Sequence, residues 1–359
     1  MKELIYSCSW EKDKKNSWSG TPYSLFKALS NFYVIQEFDY GASHFYNKVD
    51  KIFSHLGIRD SMRVGLIQHY SKIFKKKYYK SKNDVFQFEE CPNVAFGKNY
   101  LYVDMIVGYL KYLMDSDSVL FQYTGFSNRK KHLLKREKLQ TEYLNNINVT
   151  ILTMGKWQAK WICENYPLYQ NRVYAVGGGY NINPEKIKYN EKSGNKILFI
   201  GKDFERKNGP LVIESFKKAK KVKEDLELYI IGPPIVENSS KDGIHFLGEL
   251  SFKEIPFYFN MCDIFCMPSK YEAYGLVFPE ALTYGLPCIG KNMFEMPYFI
   301  EDGVTGFLIE NDSAEECAKA IINLIDNNKI KANVQKKREY YLYEYNWNTV
   351  AERIFNIIG

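Results

Sequence analysis

At 359 residues the chain exceeds the size at which one hydrophobic core usually stops growing, so two domains of about 150 to 200 residues with a cleft between them are expected. Hydrophobic residues make up 45% and charged residues 25%, and no apolar run approaches the ~18 residues of a membrane span, so a soluble globular fold is expected. Lys and Arg total 49 against 42 Asp and Glu, and the resulting charge of +7 suits a phosphate-bearing ligand or an anionic surface without deciding between them.

The chain opens with MKELIYSCSW and then EKDKKNS, without the long apolar region and small-residue cleavage site of a signal peptide, and a cytoplasmic location is expected. In the first half LIYSCSW (4–10), FYVIQEF (32–38), VFQFEE (85–90), VLFQYT (119–124) and NVTILTM (148–154) read as strands of an α/β domain. SWSGTPYSLFKAL (17–29) reads as a helix start capped by Ser19 or Thr21, with Pro22 in the first turn. The run SKIFKKKYYKSK (71–82) interleaves Lys72, Lys75, Lys76, Lys77, Lys80 and Lys82 with Ile73, Phe74, Tyr78 and Tyr79, and NRKKHLLKREK (128–138) is a second basic run. A solvated helix face and an anionic membrane surface both stay open as readings. Nucleic acid is disfavoured because no nucleic-acid module accompanies the charge. DSD (115–117) precedes an expected strand, the wrong end for a ligand, which argues against a D-x-D metal site. The seven cysteines (8, 91, 163, 262, 266, 288 and 317) form no C-x-x-C pair and read as small core residues, so neither a disulfide framework nor a zinc site is expected.

VYAVGGGYNINPE (173–185) follows a strand with three glycines and then a proline, and a hinge is placed there. The expected domains are therefore 1–176 and 177–344, with a final helix in WNTVAERIFNII, about 345–359, crossing back to the first domain. The second half alternates strand-like NKILFIG (195–201), LELYIIG (226–232), GIHFLG (243–248), DIFCMPS (263–269) and LPCIG (286–290) with helix-like PLVIESFKKAKK (210–221), SFKEIPFYFNM (251–261), PEALTYG (279–285) and SAEECAKAIINLIDNN (313–328). That is the pattern of βα units on a parallel sheet, a Rossmann-like domain.

Ligands of such sheets lie beyond the carboxyl ends of the strands, which directs attention to two strand-to-helix loops. In KYEAYGLVFPE (270–280) the amides of Gly275 and Leu276 approach a helix start suited to a diphosphate, with Pro279 in the first turn. Glu280 offers two oxygens to a vicinal diol such as a ribose, and Glu272 faces whatever the diphosphate carries. The plain alternative is that Glu280 complements a helix dipole and Glu272 is solvated. FIGKDFERKNGP (199–210) brings the cations Lys202, Arg206 and Lys207 to the same zone.

These segments together resemble the family 4 retaining glycosyltransferases, glycosyl transferases group 1, of the GT-B fold. ILTMGKWQAKWICENY is similar to the strand and helix before that family's linker, GKDFERKNG to its phosphate-binding loop and PSKYEAYGLVFPEAL to its E-x7-E motif. Asp302, Gly303, Gly306 and Leu308 are similar to its D-G-x-x-G-x-L pattern, and SWSGTPYSLFKAL to the glycine loop that approaches the donor phosphate. The resemblance implies an α/β protein of two Rossmann-like domains facing a central cleft. It implies transfer of a sugar, with retention, from a nucleotide diphosphate sugar such as a UDP- or GDP-sugar to an acceptor hydroxyl of a glycan or glycolipid. Arg206, Lys207 and Glu272 would then be catalytic, and Gly20, Thr21, Lys202, Gly275, Leu276 and Glu280 would bind the donor. Leaving-group stabilisation is the family's main catalytic contribution, no cofactor or metal is expected, and surface polysaccharide assembly at the inner face of the membrane fits its habits. Two departures stand out. Many relatives carry a histidine near the sugar, whereas the comparable FQYTGFSN (121–128) offers Tyr123 and Thr124, and Lys202 stands where relatives often have Arg. Alternative readings are an epimerase or phosphorylase on the same architecture and a non-catalytic membrane-surface binder.

Overall fold

The computed structural model describes residues 1–40, 59–88, 97–188, 194–235 and 242–359. Cys91 and the last two residues of the expected strand 85–90 lie outside them. The chain divides into two compact units, one of residues 1–178 with 347–359, the other of residues 179–346.

Among the described residues the first unit holds six parallel strands, β1 (Glu3–Cys8), β2 (Val34–Asp39), β3 (Asp84–Phe88), β4 (Asn99–Val103), β5 (Val149–Thr153) and β6 (Val173–Ala175), in the order β2-β1-β3-β4-β5-β6. β3 and β4 are buried along their whole length, as expected for parallel strands covered on both faces. The helix Arg59–Tyr78 presses Phe74 and Tyr78, one turn apart, into a cluster with Ile5, Phe38 and Val85. The final helix, Trp347–Ile358, packs on the helix Thr21–Leu29: Phe355 stacks on Phe32 with centroids 5.0 Å apart, and Arg353 donates to the Val176 carbonyl at 2.9 Å.

Two local expectations fail here. VLFQYT is not a strand but the short helix Ser118–Phe121 followed by a 3-10 turn, because the Asp117 carboxylate accepts from the Leu120 amide at 2.9 Å and caps a helix start. DSD therefore does not precede a strand. Asp115 pairs with Lys111 at 2.6 Å, and Asp117 is the cap. The strand that fills this part of the sheet is β4, NYLYV.

The described residues of the second unit also form a six-stranded parallel sheet, with β7 (Lys196–Ile200), β8 (Glu227–Ile231), β9 (Ile244–Phe246), β10 (Ile264–Cys266), β11 (Cys288–Lys291) and β12 (Gly306–Ile309) in the order β12-β11-β10-β7-β8-β9. Counted within the unit this is the 3-2-1-4-5-6 order of a doubly wound sheet. Its topological switch lies between β7 and β10, where such sheets bind ligands. Ile197, Leu198, Phe199, Leu228, Ile230 and Phe265 are completely buried at its centre. The helix Ala314–Asp326, capped by Ser313 accepting from the Glu316 amide, buries Cys317, Ile321 and Leu324 along one face beside the helix Gly209–Lys220.

Candidate active site

The two loops singled out in the sequence leave β7 and β10, the strands on either side of the switch. They are stitched together. The Lys270 amide donates to the Arg206 carbonyl at 2.9 Å, and Arg206 Nη1 donates to the Tyr271 carbonyl at 2.8 Å. Lys207 Nζ donates to Glu272 Oε2 at 2.6 Å, Arg206 Nη1 lies 3.6 Å from the same oxygen, and Ser269 Oγ donates to it at 3.5 Å. Arg206 and Lys207, neighbours in sequence, thus form one cluster with Glu272, 65 positions beyond Lys207. Burial alone would raise the Glu272 carboxyl, but Lys207, then Arg206, with hydrogen bonds from Lys207 and Ser269, hold it below the usual range, so it is ionised at neutral pH.

The backbone explains how Lys207 reaches that position. In the β7 loop the amides of Lys207, Asn208 and Gly209 donate to the carbonyls of Asp203, Glu205 and Phe204, and the tight coil folds the Lys207 stem back over Gly201. A Cβ on Gly201 would lie 2.4 Å from Lys207 Cδ, so residue 201 must be glycine for the lysine to lie there. Sequence reasoning missed Gly201, since nothing local signals that its missing side chain makes room for a residue six positions on.

Gly275 has φ 91°, a left-handed conformation that glycine adopts without penalty, and a Cβ there would meet Glu272 Cγ and Phe278 Cδ2 at 3.1 Å. The following helix spans Val277–Thr283 with Leu276 as its N-cap. It begins two residues before the expected PEALTYG, and Pro279 is its third residue, where the missing N–H is still among those a helix start leaves unbonded. Glu280 is buried, and its Oε1 accepts from the Asn181 amide at 3.0 Å. Burial pushes its carboxyl up to about 7, against the lowering effect of that one hydrogen bond. One of the two oxygens expected to meet a diol is therefore already engaged. Lys202 is exposed and pairs with Glu249 at 2.7 Å, apart from the Glu272 cluster.

In the first unit Gly20 and Thr21 lie at the carboxyl end of β1, the switch strand of that sheet. Trp18, Ser19 and Gly20 have φ 47°, 56° and 87°, three left-handed residues in succession. Gly20 stands at the N-cap of the helix Thr21–Leu29, between the two residues expected there, and Tyr6 Oη donates to the Pro22 carbonyl at 2.8 Å. Two non-glycine residues held at positive φ store strain of the kind that clusters at functional loops. Among the described residues no group of three or more His, Cys, Asp or Glu side chains gathers to hold a metal ion.

Residues 182–341, within the second unit, match the family model described as "Glycosyl transferases group 1". An uncharacterised 41.2 kDa protein in the cps region of Klebsiella pneumoniae is 32% identical over 244 residues, 57% of this chain and 66% of that protein. The phosphatidyl-myo-inositol mannosyltransferase of Mycolicibacterium smegmatis is 22% identical over 174 residues, 46% of this chain and 45% of that protein. The matches span less than two thirds of these relatives. Among solved structures, sucrose-phosphate synthase from Thermosynechococcus elongatus is similar with a TM-score of 0.69 at 14% identity, over 100% of this chain and 98% of that one. WaaG, a glycosyltransferase involved in lipopolysaccharide biosynthesis, is similar with a TM-score of 0.66 at 14% identity, over 99% of both chains. At such identities the likeness is one of fold, and the fold is GT-B, the α/β class read from the sequence.

Proposed function

From the match of residues 182–341 to the glycosyl transferases group 1 family model we propose that the chain transfers a sugar, with retention and without a metal ion, from a nucleotide diphosphate sugar to an acceptor hydroxyl of a glycan or lipid-linked glycan. In this reaction the bond from the anomeric carbon to the diphosphate breaks, a bond to the acceptor oxygen forms and the acceptor's hydroxyl proton passes to the leaving diphosphate. The observation that supports the reading is the cluster at the switch between β7 and β10, two cations held on a buried carboxylate. Lys207 and Arg206, with the amides of Gly275 and Leu276, would take the diphosphate, and their charge gains most as negative charge grows on the leaving group. Glu280 would hold the ribose and Glu272 would face the transferred sugar. Lys202, Gly20 and Thr21 keep the donor-binding role that the resemblance implies.

The test is a panel of UDP-glucose, UDP-galactose, UDP-N-acetylglucosamine and GDP-mannose, scored by thermal shift and by hydrolysis without acceptor. Lys207→Ala should lower kcat with the donor so found by about 10²- to 10³-fold, and Lys131→Ala, in the second basic run, should not. Turnover of Lys207→Ala within threefold of the parent would refute the site, and conversion of a donor to its epimer without acceptor would favour the epimerase. A strict manganese or magnesium requirement after EDTA would refute the metal-free reading.

Attachment to an anionic membrane surface is a companion reading. On the helix Arg59–Tyr78 and just beyond it, Lys72, Lys75, Lys76, Lys77, Lys80 and Lys82 are exposed along with Ile73 and Tyr79, while Phe74 and Tyr78 belong to the core. The exposed subset would suit a peripheral enzyme acting on lipid-linked acceptors at the inner face of the membrane. No described helix is long and apolar enough to cross a membrane.

A further inference from the structure

Lys207 can be aimed at Glu272 only if the next residue turns the chain, and that residue, Asn208, departs from its default behaviour in two ways. Its backbone is left-handed, φ 61°. It stands at the N-cap of the helix Gly209–Lys220, where an asparagine normally accepts from a backbone amide of the first turn, yet it makes no such bond. Its side chain, 2% exposed, instead donates through Nδ2 to the Pro268 carbonyl at 3.2 Å and to Asp312 Oδ1 at 2.8 Å. The same Asp312 oxygen accepts from Lys291 Nζ at 2.8 Å, and Lys291 is itself 8% exposed.

Each member comes from a different strand end. Asn208 follows β7, Pro268 follows β10, Lys291 closes β11 and Asp312 follows β12. The brace therefore ties the loop carrying Lys207 to the three strands on the other side of the switch. Its two charged members neutralise each other, so it adds rigidity without adding charge to the diphosphate zone.

We propose that Asn208, braced by Asp312 and Lys291, is the positioning residue that holds Lys207 in line with Glu272 and, in the donor complex, with the leaving diphosphate. The second part of this rests on the glycosyl-transfer reading; the first does not. Without the brace, the turn at 208 can relax, the stem of Lys207 can lift from Gly201, and the ammonium loses its fixed aim. A misplacement of that kind acts on the rate more than on affinity.

The test is Asn208→Gly, which accepts the left-handed backbone and deletes both side-chain bonds. Lysine acylation by acetic anhydride, read by mass spectrometry, reports the position of Lys207 directly. In the parent Lys207 is protected relative to the exposed Lys202, and in N208G its labelling should rise severalfold while the melting temperature stays within a few degrees. Acceptor-free hydrolysis of the panel donor turned over fastest should fall in kcat by about 10- to 100-fold, with KM little changed. N208D should behave similarly, and N208D/D312N, which exchanges donor and acceptor between the two positions, should recover part of the loss and part of the protection. Parent-like labelling and turnover in N208G would overturn the proposal. So would N208D/D312N that labels and turns over no differently from N208D, the comparison that decides if N208G does not fold. Lys207→Ala separates the two readings. If it keeps parental turnover, the donor site is misplaced; if it is inactive while N208G labels and turns over as the parent, the brace alone is refuted.

Discussion

Glu280→Gln separates a carboxylate kept for a ligand from one kept for the fold, because the two roles give opposite signs. The buried Glu280 carboxyl receives one protein hydrogen bond among the described residues, from the Asn181 amide, and burial pushes it from the ordinary 4.5 up to about 7. The folded protein therefore holds this proton more tightly than the unfolded chain does. The stability linked to the group is complete below about pH 4.5 and is lost as pH rises through about 7. Between those limits the loss is about 2.5 units at 1.36 kcal/mol each, or about 3 kcal/mol. Glutamine stays neutral and still accepts from the Asn181 amide. E280Q should match the parent at pH 4 and below in urea unfolding and exceed it by about 3 kcal/mol at pH 8. Nucleotide binding should move the other way. Ribose hydroxyls donate more strongly to a carboxylate than to an amide, so E280Q should bind the matching nucleoside diphosphate about 1.5 to 3 kcal/mol more weakly at pH 8. By calorimetry that gap should narrow toward pH 5.5, where the parent is protonated as well. A variant less stable than the parent at every pH, with unchanged affinity, would return Glu280 to a structural role beside the helix start.

Three further outcomes are expected. Gly201→Ala puts a Cβ 2.4 Å from Lys207 Cδ and must displace that side chain, so donor hydrolysis should fall about 10²-fold while far-UV circular dichroism stays parental; parental turnover would show that the Lys207 geometry is immaterial. Glu272→Gln removes the internal anion paired with Lys207, while Arg206 keeps its ion pair with Asp203 at 3.0 Å, so free UDP or GDP, whichever matches the donor, should bind about tenfold more tightly, 1.4 kcal/mol, while turnover drops; weaker binding would mean that Glu272 orders Lys207 rather than competing with phosphate. Replacing Lys75, Lys76 and Lys77 with Ser should reduce co-sedimentation with anionic vesicles at low salt, each lysine contributing up to about 1 kcal/mol, and leave donor hydrolysis unchanged; equal co-sedimentation would leave a solvated helix face.

The strand-to-helix loops were legible because their signals are local. A short β-rich run, a glycine and then an amphipathic segment place Gly275, Glu280 and Lys207 at strand ends whatever the rest of the chain does. β4 was not legible: NYLYV is buried throughout, so it has no alternation to display, and VLFQYT carries the stronger strand pattern although Asp117 caps a helix there. The partnership of Lys207 with Glu272 was hidden for a different reason. The two are 65 positions apart, and their meeting depends on β10 pairing beside β7. The left-handed turn at Asn208 was equally silent, since asparagine is common at helix starts and its side chain normally caps the helix it begins.

Residues 347–359 belong to the same unit as residues 1–178, so the whole of 179–346 is an insertion in the sequence of the first unit. On a ribosome, Phe355 and Arg353 emerge only after the entire second unit has been made, and until then Phe32 and the Val176 carbonyl wait for partners. The order of completion is therefore the reverse of the order of synthesis: the inserted unit can close its sheet first, and the unit that began earliest finishes last. Shortening the chain from its carboxyl end should accordingly harm the amino-terminal unit, and a nascent-chain protease assay should find residues 179–346 resistant before residues 1–178 become so.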